Sequence, residues 1–405
     1  MVLSLRLLSV VPAAVGGDGG LQFNPPQRVG EGWWADYFVG LDDAAGSRLA
    51  TGLLWEGRKQ RPALYVYDQA EAVWHPHAPT VGFAAATLPS HCPSPCERLA
   101  VLRPPKRWTF NGTRTEFTIN STIVDSSSGV PHNLTCVRPG VGCIEGPELT
   151  FQGLPPVVSG AGARGGIRFG GTASLLHRGA WLQTAIVTLA GGPGPRPTKS
   201  YPPVSVVLLR SMDARTFIYV ATIAHAADFP ESLEGPNEND VIELPDGSLL
   251  AVVRLDGEAA DPAQDKPYYA ARSHTSGASW TSATPLPGTG CVRPRLLLLE
   301  TTLLLAGGRR NYAREPGDIL LWESHTLGNT WKRYSISAAH NAGVRNATLS
   351  YTHAVNDTSR GPAAETTAYT SLIRIAEHKA LLVYDAYLRE PVGAVTFSME
   401  VATLN

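Results

Sequence analysis

"SHTSGASW", residues 273–280, returns almost unchanged as "SHTLGNTW" at 324–331 and in shortened form as "SMDARTF" at 211–217. Each copy holds a serine, a turn, a small polar residue and a closing aromatic, and each follows an apolar run that reads as a strand. Self-similarity of this kind marks a repeated supersecondary unit, and the spacing is that of one four-stranded propeller blade. The surrounding sequence agrees. Runs such as "SVVLLRSMDARTFIYVATI" (205–223), "TLLLAGG" (302–308) and "ALLVYDAYL" (380–388) stand between clusters of Gly, Pro, Ser and Asp, with almost no sustained helical period. The 40 glycines and 32 prolines fit many tight turns. The prediction is an all-β chain forming a six-bladed β-propeller as one domain over 21–405, with blade boundaries near residues 25, 90, 160, 235, 290 and 343.

Composition narrows the partners. Of the 405 residues 43% are hydrophobic and 17% charged, enough for a core and too apolar for general disorder. The formal net charge is −1 and no long run of one sign occurs, so neither nucleic acid nor an anionic membrane surface is an expected partner. A charged ligand would have to be met by local charge. No apolar stretch is long enough to span a bilayer; the run Leu296 to Gly307 is broken by Glu300, Thr301 and Thr302.

The first residues, "MVLSLRLLSVVPAAVGG" within 1–20, read either as a secretory signal with a short apolar core or as a disordered start. Asn111, Asn120, Asn133, Asn346 and Asn356 each open an N-x-S/T sequon, which favours the secretory route and an extracellular or secretory-pathway location. The cysteines fit that compartment: Cys92 with Cys96 and Cys136 with Cys143 as short-loop disulfides, and Cys291 as a free thiol. A zinc site is the rival arrangement, but these spacings are loose for a tetrahedral site and no histidine pair lies nearby.

The residues that carry chemistry lie in the second half. "NENDVIELPDGSLLAVVR" (237–254) reads as two strands joined by the turn Pro245–Gly247, with Glu238 near one end and Arg254 at the other. A hairpin brings its far ends together, so the pair is either a cross-strand ion pair or part of a site on one rim. "PRLLLLETTLLLAGGRRNYAREPGDILLWESHTLGNTW" (294–331) offers Arg309, Arg310 and Arg314. "TTAYTSLIRIAEHKALLVYDAY" (366–387) offers Tyr369, whose ordinary reading is a cross-strand packing aromatic.

These motifs together resemble the sialidase (neuraminidase) superfamily. The repeats look like degenerate Asp-boxes, S-x-D-x-G-x-T/S-W: Asp213 keeps the aspartate, while Thr275 and Thr326 stand in its place. The resemblance implies that Tyr369 is the nucleophile and Glu238 the carboxylate that supports it. It also implies that Arg254 and a second arginine, Arg314 ahead of Arg309, bind the carboxylate of a sialylated glycoconjugate. Planar guanidinium groups suit that anion better than lysine does. A phenol avoids the repulsion that a carboxylate nucleophile would meet at a negatively charged substrate, and sialidases are an exception of this kind among retaining glycosidases. No cofactor and no metal are implied.

The resemblance spans residues 165 to 390. Over 1–160 the expected F/Y-R-I-P motif is missing; Arg28 stands where its arginine would be, and Asp36, Asp42 and Asp43 where the acid/base aspartate would be. The expected function is therefore an exo-α-sialidase. The alternatives are a sialidase-fold propeller that binds sialylated glycans with little or no turnover, and a propeller glycosidase that uses Asp and Glu on an uncharged sugar.

Overall fold

A computed structural model of the chain describes residues 20–31, 38–42, 48–56, 61–68, 72–77, 98–100, 112–114, 117–120, 123–124, 131–132, 148–159, 167–169, 173–195, 202–213, 216–255, 267–290, 292–309, 318–344, 346, 349–351, 369–388 and 393–404. Strand dominates them. The only α-helix among the described residues is Ile336–Gly343, and none of their helices is long and apolar enough to cross a membrane.

The strands form antiparallel meanders. Three sheets have four strands each, over 38–77, 236–285 and 292–335. A fourth, of five strands, joins the strands Thr370–Ala376, Lys379–Leu388 and Gly393–Thr403 to the strands Leu21–Phe23 and Gln27–Glu31 from the other end of the chain. Leu21 faces Thr403 and Phe23 faces Val401, so the first described strand completes the last sheet. A fifth meander, over 173–224, lies inside a ten-stranded sheet. The first strand of each meander adjoins the first strand of the next: 173–177, 236–243, 292–299, 370–376, then 38–42.

The stretch predicted as a separate blade over 90–160 is not a four-stranded sheet of its own among the described residues. Arg98–Ala100 bonds directly to Ala173–His177, and Glu148–Gln152 runs parallel to Thr216–Ala224, so these strands extend the neighbouring meander. The segments there are two to five residues long, too short to bury a face unaided.

Apolar side chains fill the spaces between successive sheets. Leu297, Leu304 and Leu321 pack against Leu382, Tyr384 and Phe397 on one side of the 292–335 sheet, and Leu305, Leu320 and Trp322 pack against Leu250, Val252 and Tyr268 on the other. The repeat turns fasten these layers. Ser273 Oγ accepts the Gly277 N–H at 2.8 Å and Thr275 Oγ1 accepts the Ser279 N–H at 2.8 Å. Ser324 and Thr326 repeat the pattern with Gly328 and Thr330 at 2.8 and 2.9 Å. Asp213 does the same work with a carboxylate, accepting the Thr216 N–H at 2.7 Å. Threonine can therefore replace aspartate because a single acceptor oxygen closes the turn. Gly277, at φ +88°, also lets the turn lie against the preceding sheet, since a Cβ would stand 2.3 Å from Leu208 Cδ2.

Candidate active site

Glu238 and Arg293 lie at the starts of the inner strands Pro236–Glu243 and Val292–Leu299, and Tyr369 directly precedes the inner strand Thr370–Ala376. The strand starts converge. Glu238 and Tyr369, 131 positions apart, are joined by a bond from Tyr369 Oη to Glu238 Oε1 at 2.6 Å. Arg254 Nη1 donates to the other oxygen, Oε2, at 2.8 Å, and the backbone N–H of Arg293 donates to Oε2 at 3.0 Å. The Arg293 guanidinium carbon lies 5.6 Å from the centre of the Tyr369 ring, within cation–π range.

Local backbone features aim these groups. Between Pro236 and Asn239 the pairing with Leu249–Leu255 shifts register, and Glu238 lies in that irregularity opposite Arg254. A second shift between Val292 and Arg295 contains Arg293, whose φ is +38°. Bulges turn side chains out of the strict alternation of a strand and recur beside functional sites. The hairpin that carries Glu238 and Arg254 is closed at its opposite end by Pro245–Gly247. There the Leu244 N–H reaches Ser248 O at 2.8 Å, and Gly247 takes φ +78°. Asp246 Oδ1 accepts from both the side chain and the N–H of Ser248, at 2.6 and 2.9 Å. These bonds hold the Asp246 carboxyl below the usual carboxylate range.

Among the described residues, three donors meet the Glu238 carboxylate, two of them on Oε2. Glu238 is 7% exposed and Tyr369 also 7%, so the phenol–carboxylate bond is shielded from bulk water while one edge of the cluster remains accessible. Low local dielectric strengthens such charge-assisted bonds. A carboxylate held in place at 2.6 Å is positioned to take the phenol proton, which would turn Tyr369 into an oxygen nucleophile.

The other predicted residues are placed as follows. Arg309 ends the strand Thr302–Arg309 opposite Asp318, next to the Val292–Gly308 pair, so its backbone is on the rim that bears Arg293. Arg314, Arg310, Asp36 and Asp43 lie outside the described residues. Asp42 ends the strand Phe38–Asp42, paired in register with Arg48. Arg28 is away from the cluster: it is 45% exposed and bonded to Glu31 at 2.7 Å. Of the sequons, Asn120 ends the strand Phe117–Asn120, and Asn346 is exposed. The five cysteines lie outside the described residues.

Sequence reasoning missed Arg293. Its signal was "VRPR" at 292–295, an arginine before a proline at the start of an apolar inner strand, where proline biases the preceding residue away from helical geometry.

No protein-family model matches the chain, and no curated protein matches it by sequence. Solved structures do match. An α-L-arabinanase of Penicillium chrysogenum is 12% identical, with 93% of this chain and 98% of that one covered and a TM-score of 0.54. An α-L-arabinofuranosidase of Fusarium graminearum is 12% identical over 94% and 98% of the two chains, with a TM-score of 0.53. A sialidase of Streptococcus pneumoniae is 10% identical over 94% and 71%, with a TM-score of 0.46. At these identities the likeness shows the fold alone, the β-propeller-like fold of glycoside hydrolases.

Proposed function

We propose that the protein is an exo-α-sialidase-like glycoside hydrolase that releases terminal sialic acid from glycoconjugates with retention of configuration, on a single six-bladed propeller in the secretory pathway. The observation that carries this reading is the 2.6 Å bond from Tyr369 Oη to Glu238 Oε1 beside Arg254 and Arg293. A phenol held by a carboxylate and flanked by guanidinium groups suits an anionic sugar. The two cations attract the substrate carboxylate and favour the developing phenolate, whose pKa is about 10 when unperturbed.

In the first step Tyr369 Oη bonds to the anomeric carbon as the bond to the leaving oxygen breaks, and Glu238 takes the phenol proton. A general acid supplies the proton to the leaving oxygen; Asp36, Asp42 and Asp43 are the candidates. Water then attacks the anomeric carbon and gives a proton to the carboxylate that had acted as the acid, the tyrosyl–sugar bond breaks, and Glu238 returns its proton to the Tyr369 oxygen. A guanidinium carries five N–H donors, enough for Arg254 to hold Glu238 and a substrate carboxylate at once. Arg309, on the same rim, and Arg314 complete the proposed carboxylate site.

A second reading, a sialoglycan-binding propeller with little or no turnover, is favoured by the surface placement of Arg28 in its ion pair with Glu31. Loss of the general acid would lower the rate by about 10² to 10⁴. One experiment separates the readings. The purified protein is incubated with a fluorogenic α-sialoside and with the matching α-L-arabinofuranoside, beside Tyr369→Phe. Sialoside turnover that Tyr369→Phe lowers by more than about 10³-fold supports the hydrolase. Binding to sialylated glycan without turnover supports the lectin, and cleavage of the arabinoside alone removes both.

A further inference from the structure

The peptide that joins Val292 to Arg293 is bonded on both sides. Its carbonyl oxygen accepts the Tyr268 hydroxyl at 2.9 Å, and its N–H, that of Arg293, donates to Glu238 Oε2 at 3.0 Å. Both bonds are buried. Carbonyl and N–H belong to one resonance-coupled plane, so a hydrogen bond to the oxygen draws density from the nitrogen and strengthens the N–H as a donor. Tyr268 itself is wholly buried between two sheets, edge-on to Trp322 with ring centres 5.9 Å apart.

Two further features are built around that contact. At Gly307 a Cβ would stand 2.1 Å from Tyr268 Oη and 2.9 Å from Val292 O, so the phenol reaches its carbonyl because that position has no side chain. Arg293 holds φ +38°, a conformation that costs a non-glycine residue on the order of 1–3 kcal/mol and persists only where surrounding bonds enforce it. The bonds from Tyr268 and to Glu238 are such restraints.

We propose that Tyr268 is a positioning residue: through the single peptide Val292–Arg293 it holds and strengthens the hydrogen bond that aims Glu238 at Tyr369. The inference rests on Glu238 as the group that takes the Tyr369 proton. Tyr268→Phe keeps the ring and removes the hydroxyl, while Gly307→Ala displaces the hydroxyl from the other side; if one fails to fold, the other carries the test. In protein with isotope-labelled arginine, the Arg293 amide proton resonance, assigned by its loss in Arg293→Lys, moves upfield in either variant. With a fluorogenic α-sialoside, Tyr268→Phe lowers kcat about three- to tenfold, the worth of one hydrogen bond, and leaves KM nearly unchanged. The acidic limb of kcat/KM moves to higher pH, because a weaker N–H donor lets Glu238 protonate sooner. A tyrosine with a packing role alone would lower thermal stability and leave the limb where it was. An unmoved Arg293 resonance overturns the proposal, as does a moved resonance in an active enzyme whose kcat and pH limb are unchanged. If the wild-type protein turns over no sialoside, the catalytic reading fails by itself, and the Arg293 resonance then decides whether the hydrogen-bond chain exists.

Discussion

Glu238 receives the Tyr369 hydroxyl, the Arg254 guanidinium and the Arg293 N–H. The consequences of removing either side of this group differ. Tyr369→Phe deletes one donor and leaves the ion pair with Arg254 intact, so stability should fall by about 1–2 kcal/mol. Glu238→Gln turns a carboxylate into an amide and removes the charge that Arg254 pairs with at 2.8 Å in a site only partly open to water, at a cost of about 3 kcal/mol. Urea unfolding of the two variants measures the difference, and equal midpoints would mean that solvent already compensates Arg254. Glu238, Arg254 and Tyr369 were legible in the sequence because each occurs in a stretch whose spacing resembles one family's hairpin or strand start. Arg293 was not legible. Its place depends on a bulge and a positive φ, and neither leaves a mark in residue type beyond the proline that follows.

At the scale of elements, the helix Ile336–Gly343 shows what periodicity could not reveal. It is the only α-helix among the described residues and carries His340 on its buried face, between Tyr351, Tyr384 and Phe397. His340 Nδ1 is 2.9 Å from Tyr384 Oη and Nε2 is 2.7 Å from Leu349 O. One neutral tautomer satisfies both, with Nε2–H donating to the carbonyl and Nδ1 accepting from the hydroxyl. Burial lowers the imidazole pKa from 6.5 to about 4. In the unfolded chain the same group takes a proton near pH 6.5. Between pH 6.5 and about 4 the unfolded state therefore binds more protons, and stability falls as pH falls through that window. The loss approaches about 3 kcal/mol at its lower end. His340→Gln should be less stable at pH 7 but lack this part of the pH dependence, as unfolding free energies at pH 7 and pH 4.5 would measure. A variant whose stability declines as steeply as wild type would assign the acid sensitivity to other groups. The turn-and-strand repeats were readable in advance because "SHTSGASW" and "SHTLGNTW" hold a glycine and hydroxyls at the positions whose bonds close the turn. The helix was hidden in a segment short enough for tertiary burial to outweigh any periodic signal.

The molecule as a whole depends on how its first described strand is used. Leu21–Phe23 lies on the outer edge of the last sheet, with Leu21 1% exposed and Phe23 packed edge-on against Tyr334 at 5.4 Å. Asn24 adds a bond from its N–H to Glu400 O at 3.0 Å and one from Nδ2 to Glu400 Oε1 at 2.9 Å. The same sheet begins at Thr370, immediately after Tyr369, so the outer strand is linked through two intervening strands to the inner edge that carries the phenol. No residue pattern points to this pairing, because "LQF" is too short to announce a partner nearly four hundred residues away. Phe23→Ala should destabilise the protein by about 3–5 kcal/mol through the cavity it leaves, whereas Gln22→Ala, a less buried neighbour on the same strand, should change stability by about 0.5 kcal/mol or less. Circular dichroism and turnover followed through one urea titration test the coupling. If the edge strand steadies the site, turnover of Phe23→Ala disappears at a lower urea concentration than its β-sheet signal, while Gln22→Ala loses both together. Coincident loss in Phe23→Ala would make the strand part of the general core, with no separate influence on the contact between Tyr369 and Glu238.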